Sequence, residues 1–146
     1  MKIVVQRVKR ASVTVDGSVT GKINNGLLLL IGIHETDNKE EIDWCCRKIS
    51  KLRIFEDDEG KMNRSVQDVK GGILAVSQFT LYGNTRKGTR PSFIEAAKPD
   101  VAEPLYDYMV ERFKKITNLS VQEGKFGAMM DVELVNDGPV TIIVEK

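Results

Sequence analysis

Residues 73–83 read Ile-Leu-Ala-Val-Ser-Gln-Phe-Thr-Leu-Tyr-Gly. Ile73 to Val76 form an unbroken apolar run behind Gly71 and Gly72, the pattern of a strand buried on both faces. The run then meets Ser77, Gln78 and Thr80, with Phe79 between them and Gly83 at the exit. A buried strand that stops in hydroxyls and an amide presents polar side chains and backbone N–H groups at a rigid edge, where sites are commonly built. The same pattern fits a Ser/Thr-rich strand with ordinary cross-strand hydrogen bonds, because Thr and aromatic residues favour strands.

Upstream, residues 2–8 alternate, with Ile3, Val5 and Arg7 on one face. In the next run, Ala11 to Val15, Val13 and Val15 are in phase, and Asp16-Gly17 signals a tight turn into a second strand at 18–23. Asn24-Asn25-Gly26 turns the chain again, and 27–33 is apolar except for Gly32. This is the start of a β-meander. Thr36 or Asp37 is expected to cap a helix whose apolar face holds Ile42, Cys45, Cys46, Ile49 and Leu52. Residues 52–55 begin a short strand, and 56–61 form a charged hairpin tip whose carboxylate spacing does not fit an EF-hand loop.

Downstream, residues 83–91 are rich in glycine and carry Arg86, Lys87 and Arg90. They predict a mobile loop presenting positive charge, or a plain solvated one. Pro91 suits the first turn of a short helix at 92–97. A longer helix over 101–116 carries Leu105, Met109 and Phe113 on one stripe. Short strands are expected at 119–121, 131–135 and 140–144, the last two separated by a turn at Asn136-Asp137-Gly138-Pro139. The order predicts one α+β domain over 1–146, an antiparallel or mixed β-barrel-like sheet with helices packed on one side.

The 146 residues carry a formal charge of +1, with 41% hydrophobic and 29% charged residues. That excludes a grossly basic nucleic-acid binder but not a local basic patch. No apolar run approaches the roughly 18 residues of a membrane span, and the opening residues are too soon interrupted for a secretion signal. Cys45 and Cys46 are neighbours, which cannot easily form an unstrained bridge. Reduced thiols and a cytoplasmic location are therefore expected. His34 is the single histidine, zinc-ligand spacing is missing, and no dinucleotide or phosphate loop is present. No cofactor or metal is expected. An enzyme of this composition would use backbone donors and small polar side chains on a substrate already primed to react, such as an activated ester. Arg7, on an apolar face, must either be paired, because burying it alone is costly, or snorkel past the core edge. By itself Gly138-Pro139 reads as trans, since about 5–6% of X–Pro bonds are cis.

Taken together, these segments resemble the D-aminoacyl-tRNA deacylases over essentially the whole chain. The resemblance rests on Gln6-Arg7-Val8 with residues 11–15, on Leu52-Arg53-Ile54-Phe55 with Gly60-Lys61-Met62-Asn63, and on Ser77-Gln78-Phe79-Thr80-Leu81-Tyr82-Gly83. It rests equally on Lys87-Gly88-Thr89-Arg90-Pro91-Ser92-Phe93 and Asn136-Asp137-Gly138-Pro139-Val140-Thr141. Two long motifs in the right order and separation are specific where any single tetrapeptide would not be.

The resemblance implies a homodimer with its site at the subunit interface, acting on the 3′ end of aminoacylated tRNA. The activity it implies is hydrolysis of the D-aminoacyl ester, with leakage toward glycine, which is achiral. Ser77, Gln78, Phe79 and Thr80 would line the pocket, with backbone N–H groups near Phe79 and Thr80 holding the oxyanion. Gly138-Pro139 would be cis and would enter the other protomer's pocket to exclude L substrates, braced by Arg7. Phe126 and Met129 would pack near the adenosine and acyl group, and Arg86, Lys87 and Arg90 would face the tRNA. The alternatives are an editing module of the same fold that clears a mischarged L-amino acid, or a non-catalytic nucleic-acid-binding dimer.

Overall fold

The computed structural model describes all residues, 1–146. Its frame is β1 (Lys2–Val15), a single strand of 14 residues where two runs were expected. Asp16 and Gly17 both take positive φ, 49° and 77°, as a two-residue hairpin turn with right-handed strand twist requires. They return the chain as β2 (Ser18–Ile23), and β3 (Gly26–Gly32) follows. The remaining strands are β4 (Phe55–Glu56), β5 (Met62–Arg64), β6 (Gly72–Ser77), β7 (Val121–Glu123) and β8 (Asp131–Glu145). The main sheet runs β2-β1-β3-β6-β7, with β8 on β1, and β4 pairs β5 separately. β1 pairs antiparallel with β2, β3 and β8, whereas β3, β6 and β7 are mutually parallel. The sheet is therefore mixed, and it curls almost into a barrel. At Gly21 of β2 an added Cβ would lie 2.5 Å from the Glu123 carbonyl oxygen of β7, so the closing contact requires glycine.

β1 changes face along its length. Ile3 and Val5 belong to a core shared with both helices. Val8, Ala11, Val13 and Val15 belong to a second core inside the curled sheet, with Leu28, Leu74 and Val76. Residues of equal parity lie on one face of a regular strand, so the switch needs an irregularity. The pairing with β8 supplies it, with register shifts between Gln6 and Val8 and between Val8 and Arg10. Ile73 to Val76 are buried to 1% exposure or less, one side in each core, as their unbroken apolar run requires.

Helix α1 (Lys39–Ser50) buries Ile42, Cys45, Cys46 and Ile49. Its N-cap is Asn38, in a capping box with Glu41, not Thr36 or Asp37. Asp37 instead takes the Met1 amine at 2.8 Å and the His34 N–H at 2.7 Å. Helix α2 (Pro99–Thr117) begins with Pro99 in its first turn and buries Met109 and Phe113, with Leu105 packed at the core edge. The expected helix at 92–97 does not form. Ala97 N–H bonds the Ile33 carbonyl at 2.9 Å and Ala96 bridges His34, which ties the segment flat to the exit of β3. Nor do residues 131–144 make two strands around a turn, because β8 runs through them with an outward bulge. No helix is long and apolar enough to cross a membrane.

Candidate functional site

Because β3, β6 and β7 are parallel, their carboxyl ends open on one edge of the sheet, the place where ligands meet parallel strands. β6 stops at Ser77 rather than running to Gly83. The last rung is Gln78 N–H to the Ile31 carbonyl, 2.7 Å. The chain then tightens into a 3₁₀ turn, Phe79–Tyr82, closed by Leu81 N–H to the Gln78 carbonyl at 3.2 Å and Gly83 N–H to the Thr80 carbonyl at 2.9 Å. The first N–H groups of such a turn have no acceptor inside it. Here those groups belong to Phe79 and Thr80, and they stand at an exposed edge. The Gln78 amide donates to the Thr80 hydroxyl. Phe79 is 54% exposed and meets Phe93 edge to face at 5.3 Å.

The loop after β7 leaves the same edge. Gly124 N–H bonds the Ala75 carbonyl of β6 at 2.9 Å. Phe126 packs its ring on Tyr106 at 5.8 Å, and the Tyr106 hydroxyl donates to that Ala75 carbonyl at 2.9 Å. Phe126 thus faces α2, whereas Met129 stands out at 92% exposure. Arg86, Lys87 and Arg90 are exposed on a loop whose neck is fixed by mutual bonds between Asn84 and Ser92, 2.8 and 3.0 Å. Gly88 turns its tip at φ 65°.

Gly138 and Pro139 lie elsewhere. Thr141 pairs with Gln6 and Asn136 with Val8, so residues 137–140 bulge out opposite Arg7 alone. Their peptide is cis, and both residues are exposed. Arg7, 4% exposed, holds the bulge. Its Nε donates to the Asp137 carbonyl at 3.1 Å and its Nη1 to the Ile54 carbonyl at 2.6 Å. The carboxylates of Asp137 and Glu56 stand 3.4 and 3.8 Å away. The arginine is therefore paired and buried, not snorkelling. The neck of the bulge is a second network, in which the Asn136 amide and the Thr141 hydroxyl both donate to Gln6 Oε1 and Val140 N–H donates to Asn136 Oδ1 at 3.1 Å.

The chain thus brings Ser77–Thr80 and the Phe126–Met129 loop to one edge but leaves its own bulge apart from them. Ile3 pairs across to Ile31, and Ile31 to Ser77. Four residues along β1, at about 3.3 Å each, and three strand spacings of about 4.8 Å separate the bulge from Gln78 by about 20 Å. Sequence reasoning quoted Gln6, Ile54, Asn136 and Thr141 only as parts of motifs and gave no role to them or to Glu56, yet they fix the bulge in place. The available signal was Gln6 beside Arg7 and Asn136 before Asp-Gly-Pro, polar residues at both roots of one irregularity.

A rigid edge of free backbone donors beside small polar side chains is the architecture of a site that polarises a carbonyl. The chain belongs to the D-Tyr-tRNA(Tyr) deacylase family, whose pattern matches residues 4–145. It is 58% identical to the D-aminoacyl-tRNA deacylase of Exiguobacterium sibiricum, covering 100% of both chains. It is 59% identical to that of Bacillus cereus strain G9842, covering 100% of this chain and 99% of the other. Among solved structures, a c-Myc DNA unwinding element binding protein superposes with a TM-score of 0.93 at 46% identity, over 100% of this chain and 99% of that one. A probable eukaryotic D-amino acid tRNA deacylase superposes with a TM-score of 0.85 at 17% identity, over 98% and 97%, and shows the common fold.

Proposed function

We propose that this protein hydrolyses the ester joining a D-amino acid to the 3′-terminal adenosine of tRNA, releasing both, as a chiral proofreading step in the cytoplasm. One observation carries the reading. The Phe79 and Thr80 N–H groups are left open at the strand end, in a chain 58% identical along its full length to a D-aminoacyl-tRNA deacylase. As water adds to the acyl carbon, charge gathers on the carbonyl oxygen, and two fixed N–H donors stabilise it without reorganising. The acyl–oxygen bond then breaks, leaving a free amino acid and a ribose hydroxyl.

Thr80 is poorly placed to attack. Its hydrogen-bond partner is the Gln78 amide, which in either orientation is no base, and an unactivated hydroxyl is a weak nucleophile. The ribose 2′-hydroxyl beside the carbonyl orients the attacking water and passes a proton to the departing 3′-oxygen, so no protein nucleophile is needed. Selection for the D form is assigned to a homodimer in which the Gly138-Pro139 bulge of one protomer enters the pocket of the other. Its carbonyls fill the space an L side chain needs, so L substrates clash while D side chains point outward. The outward exposure of the bulge, its anchoring by Arg7 and its distance from its own Gln78 support this arrangement. Glycine, lacking a side chain, would leak through.

The test is release of D-tyrosine from D-Tyr-tRNA against an L-Tyr-tRNA control. Cleavage of the D ester alone supports the proposal. Cleavage of the L ester alone would establish the L-editing reading. The solved relative described as a DNA-binding protein keeps a third reading in view, and salt-dependent nucleic-acid binding with neither ester cleaved would favour it.

A further inference from the structure

Two clefts of about 340 and 470 Å³ lie side by side on the same sheet edge and share the wall formed by Lys2 and Tyr82. The first starts at Leu81–Gly83, the closing half of the turn that carries Thr80, and reaches Arg86. The second continues past His34 to Lys146. They form one polar trough leading away from the candidate site along the ends of β3, β1 and β8.

Tyr82 is its centre. The residue is 8% exposed, and its ring is gripped between the Lys2 ammonium at 5.3 Å and the His34 ring at 5.3 Å. Burial, and after it the nearby carboxylates of Asp37, Glu145 and Glu95, raise its hydroxyl well above the ordinary tyrosine range, and no hydrogen bond contributes to that rise. The hydroxyl therefore stays protonated, a donor without a protein acceptor, on a residue that lines both clefts.

The charges of the trough are unequally engaged. Asp37 is occupied by the Met1 amine and the His34 N–H. Glu145 meets Lys2 at 3.5 Å, with both side chains largely in solvent, a pairing of little strength that another anion can displace. The Lys146 main-chain oxygen accepts from the Met1 amine at 2.7 Å. Glu95 is the one acidic side chain of the trough without an ion-pair partner, and Arg86 and the Lys146 ammonium are the two cations without one. Lys146 otherwise rests on the Trp44 ring at 5.5 Å. Spaced cations around a buried aromatic donor suit a flexible polyanion better than a compact ligand.

We propose that the Lys2–Tyr82–Lys146 trough, with Arg86 at its head, binds the backbone phosphates of the single-stranded RNA 3′ end next to the terminal adenosine. This rests on the deacylase reading and gives the substrate its direction across the protein. The test uses the full-length chain and a double variant, Lys2→Gln with Lys146→Gln. Cleavage of D-Tyr-tRNA is compared with cleavage of 3′-O-D-tyrosyl-adenosine, which has no phosphates, over a range of KCl concentrations.

The double variant should lose about tenfold in kcat/KM on tRNA at low salt, mainly through KM. Its logarithmic salt slope should flatten by about 1.4, because each single-strand phosphate that a lysine neutralises accounts for about 0.7. The nucleoside ester should be cleaved at the unmodified rate. An unchanged salt slope overturns the proposal. So does an equal loss on both substrates, which would mean that the turn itself is damaged. Tyr82→Phe should weaken tRNA cleavage several-fold and spare the nucleoside ester. Anisotropy of labelled uncharged tRNA reads the trough without catalysis. If the unmodified protein cleaves neither ester, the deacylase reading fails while this measurement still decides the trough.

Discussion

Replacing Gly138 by alanine tests the bulge directly. Gly138 has φ 122°, a region costing an L residue on the order of 1–3 kcal/mol. The new Cβ would lie 2.8 Å from Arg7 Nη2, 2.9 Å from Val140 Cγ2 and 3.2 Å from Val140 N. Arginine tips usually move aside cheaply, but this one is held by the Ile54 and Asp137 carbonyls. Giving up one such bond costs about 1 kcal/mol more. The two costs bound the loss of stability at about 2–4 kcal/mol if the bulge keeps its shape. At about 4 °C per kcal/mol for a chain of this size, Tm falls by about 8–16 °C. Because the bulge is exposed, it can instead rearrange, with a smaller fall in Tm and a displacement of the loop. A displacement of about 1 Å at a positioning element costs about 100-fold in rate. The expected outcome at 25 °C, where the variant remains folded, is loss of about 30-fold or more in kcat/KM on D-Tyr-tRNA. Circular dichroism melts and D-tyrosine release measured on one preparation separate the two effects. A lowered Tm with undiminished kcat/KM would refute the role of the bulge in the site while leaving its strain intact.

Thr80→Ala should keep deacylation within about tenfold of the unmodified protein, and a 2′-deoxy terminal adenosine should stop it; the reverse pair of results would make Thr80 the nucleophile. Burial pushes the Cys45 thiol up to about 11 and Cys46 higher still, so both should resist iodoacetamide at pH 8 until urea unfolds the chain; rapid labelling of the native protein would contradict that burial. Asp57, bonded by the Asn63 amide, and Asp68, bonded by the Ser65 N–H, both lie below the usual carboxylate range. Their stabilisation is present above the unfolded value of about 3.9 and is lost as pH falls through the lower native values. The urea midpoint should therefore drop below about pH 4, and less steeply in the Asp57→Asn and Asp68→Asn variants; equal slopes would discount both groups.

Local chemistry made part of the molecule legible. Asp16-Gly17 could only turn tightly, Ile73 to Val76 had no polar face to expose, and the spacing of Ile42, Cys45, Cys46 and Ile49 admitted one buried stripe. What escaped depends on partners distant in sequence. The continuity of β1 through Lys9 and Arg10 is set by β8, more than 120 residues later. Residues 92–97 have an acceptable helical sequence, yet the free Ile33 carbonyl and His34 claim them for the sheet. Asn136-Asp137-Gly138-Pro139 has the composition of a hairpin turn, and the arginine across the sheet makes it an interruption in a strand. For the candidate site, the motif at Ser77–Thr80 was readable because its polarity changes within two residues. The relation of that edge to the bulge was not readable, since it depends on sheet register.

β1 runs as a shared wall between the two apolar interiors. Neither interior can dissolve without unlacing the strand that seals the other. Heating should therefore produce one calorimetric peak whose van't Hoff and calorimetric enthalpies agree, with no partially melted species in between.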